Sequence, residues 1–275
     1  MIEAGERARN GDITNKGTII FELFLSLIVA IFLWYLTKPS IEISVVEDIA
    51  GKDSKYLHVK VSNKGRLLFI NRETAARAFE TMGVTKLAKK WDLNLVDLNS
   101  YDSVDLDVPD GLVLKTVRVG RAVTEVDFLI NVPVLKTHRG TLLSNCVKNI
   151  GVGVACREEK KRLHRLGIDK GLLDVFSVVK PHFNVVDALV CIEGDGPNFP
   201  PGKPRTLGLV MAGEDGVAVD AVCARLIGLD PLEVKHLRLA HDRGIGIADL
   251  GQIEVVGERL EDVATVFERP STFID

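Results

Sequence analysis

The spacing of apolar and polar residues changes character along the chain, and each change predicts a different element. Residues 18–36, TIIFELFLSLIVAIFLWYL, carry one charge, Glu22, and are long enough at helical rise to cross a bilayer core. Trp34 and Tyr35 stand at one end like an aromatic belt, and Lys16 and Lys38 flank the run. A buried soluble helix would show a polar stripe, and a signal peptide would have a shorter apolar core with a small-residue cleavage site behind it. The pattern therefore predicts a tail over 1–16 and one transmembrane helix over 17–37. Basic residues balance on its two sides, so charge does not set the orientation.

Pro39 closes the span. The stretches IEISVVED and YLHVKVSNKGRLLFI are rich in β-branched residues, with Asn63-Lys64-Gly65 as a hairpin turn between strands, so 40–72 reads as a short β region. From Glu73 the period becomes helical in ETAARAFETMGVTKLAKKW, interrupted at Gly83. LNLVDL is a strand, and the acidic NSYDSVDLDVPDG is a loop or edge strand. The rest alternates. AVTEVDFLINVPVL predicts a short helix running into a strand, and GTLLSNCVKNIG and LLDVFSVVK predict helices. FNVVDALV and TLGLVMAG are strands, DGVAVDAVCARLIG and DPLEVKHLRLAHDRG are helices, and IEVVG is a closing strand. Asp230-Pro231 with Glu233 has the residues of a helix start, and Gly228 and Gly244 stand where helices should stop. Strands alternating with helices predict an α/β fold over 73–275: a largely parallel or mixed sheet with flanking helices, preceded by the transmembrane helix and the short β region.

Charge and cysteine content narrow the function classes. A net charge of -3 over 275 residues argues against nucleic acid as the main partner, since phosphate binding needs a basic excess. The basic run REEKKRLHR is interleaved with Glu158 and Glu159 and reads as a solvated helix face. Cys146, Cys156, Cys191 and Cys223 match neither an iron–sulfur nor a zinc spacing, and each sits among apolar or small residues. Reduced, inert thiols are expected, which suits an α/β domain on the cytoplasmic side of a single-pass membrane anchor.

Ligands of open α/β sheets bind beyond the carboxyl ends of strands, and three such exits carry polar residues. The first is NVPVLKTHRGTLLSNCVKNIGVGV, residues 131–154. If 141–150 is helical, Leu143, Cys146, Val147 and Ile150 share an apolar face, and Asn145, Lys148 and Asn149 fall opposite. With Lys136 and His138 at the strand exit, the set resembles a cradle for phosphate or carboxylate: lysines supply charge and asparagines oriented donors. An ordinary exposed helix face beside a turn is the competing reading. The second exit, VVDALVCIEGDGPNFPPGKP, holds Asp187, Glu193 and Asp195; Asp187 and Glu193 are candidates for acid–base work or for holding Mg2+, with loop stabilisation as the alternative. At the third, Asp215 reads as a helix cap, whereas Asp220 lies inside an apolar helix and needs a partner, a lysine of the first exit being one candidate. His164 follows the first exit on a polar stretch; His236 and His241 read as packing or surface residues. No Walker loop, dinucleotide fingerprint, nucleophile elbow or zinc-protease motif occurs.

Three blocks, INVPVLKTHRGTLLSNCVKNIGVGV, FNVVDALVCIEGDGP and GEDGVAVDAVCARLIGLDP followed by HLRLAHDRGIG, together resemble the DUF362 family of bacteria and archaea, in order, over about residues 75–258. Members often carry or accompany four-cysteine iron–sulfur modules, and their activity is largely undefined. The resemblance implies an α/β fold and attaches weight to Lys136, His138, Asn145, Lys148, Asn149, Asp187, Glu193 and Asp220. It implies no cluster here, because this chain shows no iron–sulfur cysteine run. The family's amino-terminal βαβ portion is not visible, and the membrane span and β region stand in its place. The leading expectation is a membrane-anchored protein with a pocket for a small anionic ligand. The competing ones are a non-catalytic accessory that docks an iron–sulfur electron-transfer partner, and an inactive, truncated relative.

Overall fold

A computed structural model describes residues 42–47, 55–60, 68–71, 80, 84–98, 102–196 and 202–273. The chain divides into two compact units, Met1–Gly65 and Arg66–Asp275. In the first, β1 (Glu42–Glu47) and β2 (Lys55–Lys60) pair antiparallel, Glu42 opposite Lys60. The apolar run 18–36 lies outside the described residues. Among those that are described, no helix is long and apolar enough to cross a membrane.

The second unit opens with β3 (Leu68–Asn71), helix α1 (Val84–Trp91) and β4 (Asn94–Asp97). The strands of this β–α–β segment pair in parallel, Leu68 opposite Asn94, as a helical crossover allows. The turn Asn63-Lys64-Gly65 is outside the described residues, and the strands flanking it take different partners, β2 with β1 and β3 with β4. The acidic stretch forms β5 (Ser103–Asp107), which pairs antiparallel with β6 (Thr116–Gly120).

The five-stranded mixed sheet contains β7 (Ile130–Asn131), β8 (Val134–His138), β9 (Leu142–Ser144), β10 (Phe183–Glu193) and β11 (Lys203–Gly213). Its order is β11-β10-β8-β9, with β7 also on β10. FLINVPVL is therefore not one strand. Pro133 has no N–H for the ladder and splits it, though the Pro133 carbonyl still accepts the Asp187 amide at 2.9 Å. Both halves run parallel to β10.

The helices are α2 (Cys146–Gly153), α3 (Arg157–Leu166), α4 (Ile168–Val178), α5 (Gly216–Leu226), α6 (Lys235–Asp242) and the short α7 (Leu260–Val263). α2 and α5 pack on the sheet and on each other, α4 backs α2, and α3 and α6 pack on α4. The interior is aliphatic: Leu135, Leu143, Val147, Leu172, Leu173 and Leu237 are all at 0% exposure. Each such side chain contributes roughly 1.5–3 kcal/mol by leaving water. α2 and α4 approach closely at Gly151, where a Cβ would stand 2.4 Å from the Leu172 carbonyl oxygen.

Three local expectations are corrected. Residues 141–150 are not one helix: Leu142–Ser144 form β9, antiparallel to β8, and the helix begins at Cys146. Asp230-Pro231 does not start a helix, because Asp230 Oδ1 accepts the Leu232 amide at 2.9 Å in a turn and α6 begins at Lys235 with Val234 in the cap position. IEVVG forms no strand; Val255 and Val256 are exposed. Other local signals match the structure. Asp215 caps α5 through the Val217 and Ala218 amides, and Gly228, at φ +83°, closes that helix.

Candidate functional site

The polar residues of the first exit form a buried turn of chain rather than an exposed helix face. β8 enters with alternation, Leu135 in the core and Lys136 half-buried, and ends at His138. His138 Nδ1 accepts the Gly140 amide at 3.0 Å, so the turn holds the ring with that nitrogen unprotonated. The chain re-enters the sheet through Leu142 at φ +60°, a left-handed conformation in a side chain that is 1% exposed. Such a backbone costs about 1–3 kcal/mol and persists only where packing imposes it. Thr137, Thr141, Ser144, Asn145 and Lys148 are all buried.

Asn145 occupies the cap position of α2 with an irregular backbone and makes no side-chain cap. Its carboxamide lies near the Cys223 thiol and opposes the upward pull of burial on that thiol. Yet neither Nδ2 nor Oδ1 has a hydrogen-bond partner, at 1% exposure. Lys148, in the first turn of α2, is 6% exposed. Asn149 is exposed and joins an amide chain that the sequence did not reveal. Its Nδ2 donates to Asn131 Oδ1 at 2.8 Å, and Asn131 Nδ2 donates to Asn184 Oδ1 at 2.9 Å. Asn184 Nδ2 in turn donates to the Gly213 and Glu214 carbonyls. The available signal was the repeated Asn-Val in NVPV and NVVD, a buried amide at the start of two strand runs.

Asp220 is fully buried, and the partners the structure assigns to it are not lysines. Oδ1 accepts the Cys146 amide at 2.7 Å and Oδ2 the Val147 amide at 3.0 Å, so this carboxylate on α5 caps α2. Burial raises its pKa to about 6, outweighing the Val147 amide, His236 and Cys146, which favour the anion. His236, also fully buried, contacts Asp169 Oδ1 through Nδ1 at 3.0 Å, and its Nε2 has no partner. His241 Nδ1 accepts the Ala248 amide at 3.3 Å, and His164 is exposed on α3.

Asp187 and Glu193 are separated by their own strand. Six residues of strand put them roughly 20 Å apart, too far to grip one ion together. Asp187 lies opposite Val134 and shares its surroundings with Lys136: both act on the Cys191 thiol, which burial pushes up to about 12 with Asp187 adding and Lys136 opposing. Lys136 Nζ donates to the Val134 carbonyl at 3.1 Å. Glu193 ends β10 instead of lying in a loop, and its Oε2 accepts the Glu268 amide at 3.1 Å. Asp195 accepts the Ser271 amide and hydroxyl, so the carboxyl-terminal segment lies across this exit. Among the described residues no group of three or more His, Cys, Asp or Glu is placed to hold a metal ion. A groove of about 260 Å³ at Arg225, Leu260 and Val266 contains none of these side chains. Burial raises all four thiols, as expected of inert cysteines.

Of the predicted residues, Asn145, Lys148 and Asp220 are thus buried around the start of α2, whereas Asp187 and Glu193 lie at different points along β10. The family described as a domain of unknown function, DUF362, matches residues 36–225. The chain belongs to the DUF362 family. The match reaches back to residue 36, so the β region and the β3–α1–β4 segment fall within the DUF362 domain rather than replacing part of it. It ends in α5, short of the 258 read from sequence blocks. The chain is also 29% identical over 136 residues to the Thylakoid-associated protein sll1697 of Synechocystis sp. (strain ATCC 27184 / PCC 6803 / Kazusa). That match covers 47% of this DUF362 chain and 41% of the relative, so the chain spans less than half of that curated protein. No solved structure matches.

Proposed function

We propose that this DUF362 protein binds a small anionic ligand, a phosphate or carboxylate, at the β8–β9–α2 segment of a membrane-associated chain. The observation that carries the reading is Asn145: a buried carboxamide with neither end hydrogen-bonded, at the cap of the helix whose first turn holds the buried Lys148. Such a group costs about 1–3 kcal/mol in a fold that does not use it, and a ligand oxygen and hydroxyl would satisfy it. In this reading Lys148 and Lys136 supply positive charge, Asn145 orients the ligand, and Asp187, opposite Val134 on the neighbouring strand, serves as proton acceptor. Membrane association is supported by the apolar run 18–36 and by the similarity to a thylakoid-associated protein.

The test is thermal unfolding of the full chain with phosphates, nucleotides and carboxylates in turn. Stabilisation by one class, lost in Lys148→Ala, is expected. No response to any of them removes the reading. Co-purification of an iron–sulfur protein that persists in Lys148→Ala would point instead to the accessory role.

A further inference from the structure

The two outer strands of the five-stranded sheet are built differently. β9 has three residues, all buried, whereas β11 has eleven and none of them is buried. One side of β11 pairs with β10, and among the described residues no strand joins the other side. A long open edge offers its backbone N–H and C=O groups to any extended chain, and proteins blunt such edges with charge, proline or a bulge. On β11 these features are confined to the first part. They are Lys203, Pro204, Arg205 and a bulge at residues 207–208, where two residues stand against Leu189 alone and Gly208 has φ +71°. The carboxyl-terminal segment meets the same part, Glu268 pairing with Lys203 at 2.6 Å and the Thr265 hydroxyl accepting from Arg205 at 3.3 Å. Beyond it, residues 209–213 read LVMAG, with no charge and no proline.

Charge along this strand is polarised. It starts basic at Lys203 and Arg205, is absent from 206 to 213, and turns acidic at the exposed Glu214 directly after the strand ends. Set antiparallel, two copies bring the basic start of each strand to the acidic end of the other; set parallel, like charges would meet. With Val210 on the symmetry axis and the bulge counted as one position, Arg205 falls opposite Glu214 of the second copy. Leu207, Leu209 and Met211 pack towards the core, so strand alternation puts Val210 on the other face, where it meets its own counterpart. From these features we infer that β11 is a self-association edge: two copies of this chain pair it antiparallel about a two-fold axis near Val210, joining their sheets into one. The contact is the same patch on both copies and closes at two, because the outer edges of the joined sheet are then the short, buried β9 strands.

The test is the mass of the purified full chain by sedimentation equilibrium in density-matched detergent, over loadings of about 1–100 µM. Wild type should pass from monomer to dimer and no further. Val210→Lys sets two ammonium groups against each other at the axis and should weaken association about 100-fold. Val210→Thr keeps the β-branched shape and should stay within about 3-fold of wild type. Arg205→Glu should weaken the dimer about 10-fold, and combining it with Glu214→Arg should restore it. Both of these side chains are exposed, so the charge exchange carries the test if Val210→Lys does not fold. A monomer at every loading overturns the inference. So does a dimer indifferent to Val210→Lys, or one that the charge exchange fails to restore. No ligand enters the measurement, so this edge stands or falls separately from the anion site.

Discussion

Replacing Asn145 by leucine should make the protein more stable and deprive it of its ligand response. Leucine has nearly the shape of asparagine but no polar atoms. Asn145 is 1% exposed, and both side-chain polar atoms lack partners, so the wild-type fold carries the full desolvation of a carboxamide. Protein substitution data put that cost at about 1–3 kcal/mol. The Cys223 thiol lies nearby without reaching hydrogen-bond geometry, so it returns little of that cost. A gain of about 2 kcal/mol corresponds to a rise of about 4–8 °C in Tm for a unit of this size. Urea unfolding followed by fluorescence, with a thermal scan beside it, measures the change; the urea slope should be unaltered if only the native state is touched. The same samples titrated with phosphates and carboxylates should show no stabilisation. Asn145→Leu that loses more than about 1 kcal/mol and keeps its ligand response would falsify the claim that this amide is retained for binding. A stability cost at one polar residue is the expected signature of a site.

Four further outcomes follow from particular contacts. Asp174, 3% exposed, accepts the Leu112, Val113 and Leu114 amides at 2.7–2.9 Å, and Asp174→Asn should cost about 2–4 kcal/mol in urea unfolding because an amide offers one acceptor atom to three donors. Gly151→Ala should destabilise by about 2 kcal/mol or more, since the added methyl meets the Leu172 carbonyl; a thermal scan within 1 °C of wild type refutes it. For Asp220 the folded pKa, about 6, lies above the unfolded value near 3.9, so its contribution is fully favourable below about pH 4 and is lost as pH rises through 6. That loss is about 3 kcal/mol, and Asp220→Asn should flatten it in unfolding titrations against pH. Finally, Asp195→Ala should speed exchange of the Ser271 amide with a global effect below about 1 kcal/mol, because this contact is local and partly solvated.

Much of the local structure was legible because short-range chemistry determines it. α5 follows from an apolar stripe with Asp215 before it and Gly228 after it, and α3 from charges around a buried Leu163. What misled was ambiguity that only distant partners resolve. Leu142–Ser144 fits helical or strand periodicity equally well, and it is a strand because β8 lies beside it with backbone groups to pair. Asp230-Pro231-Leu232-Glu233 has the residues of a helix start, but Asp230 turns the chain locally and Glu233 is drawn to Arg269. IEVVG has strand composition and no ladder to join.

The candidate site divides in the same way. From residue types alone, the exit after NVPVL was marked by lysine, histidine and asparagine where an apolar strand should simply turn. The sequence determined that polar groups gather there, since side-chain chemistry and period are local properties. Tertiary structure decided which of them share a place. It buried Asn145 and Lys148, sent Asn149 to the Asn131–Asn184 chain, and made Asp220 a cap for α2. Burial and hydrogen-bond partnership depend on elements brought together from across the chain, 74 residues apart in the case of Asp220 and Cys146. No periodicity within a single segment records that meeting, because its energy comes from desolvating both partners at once.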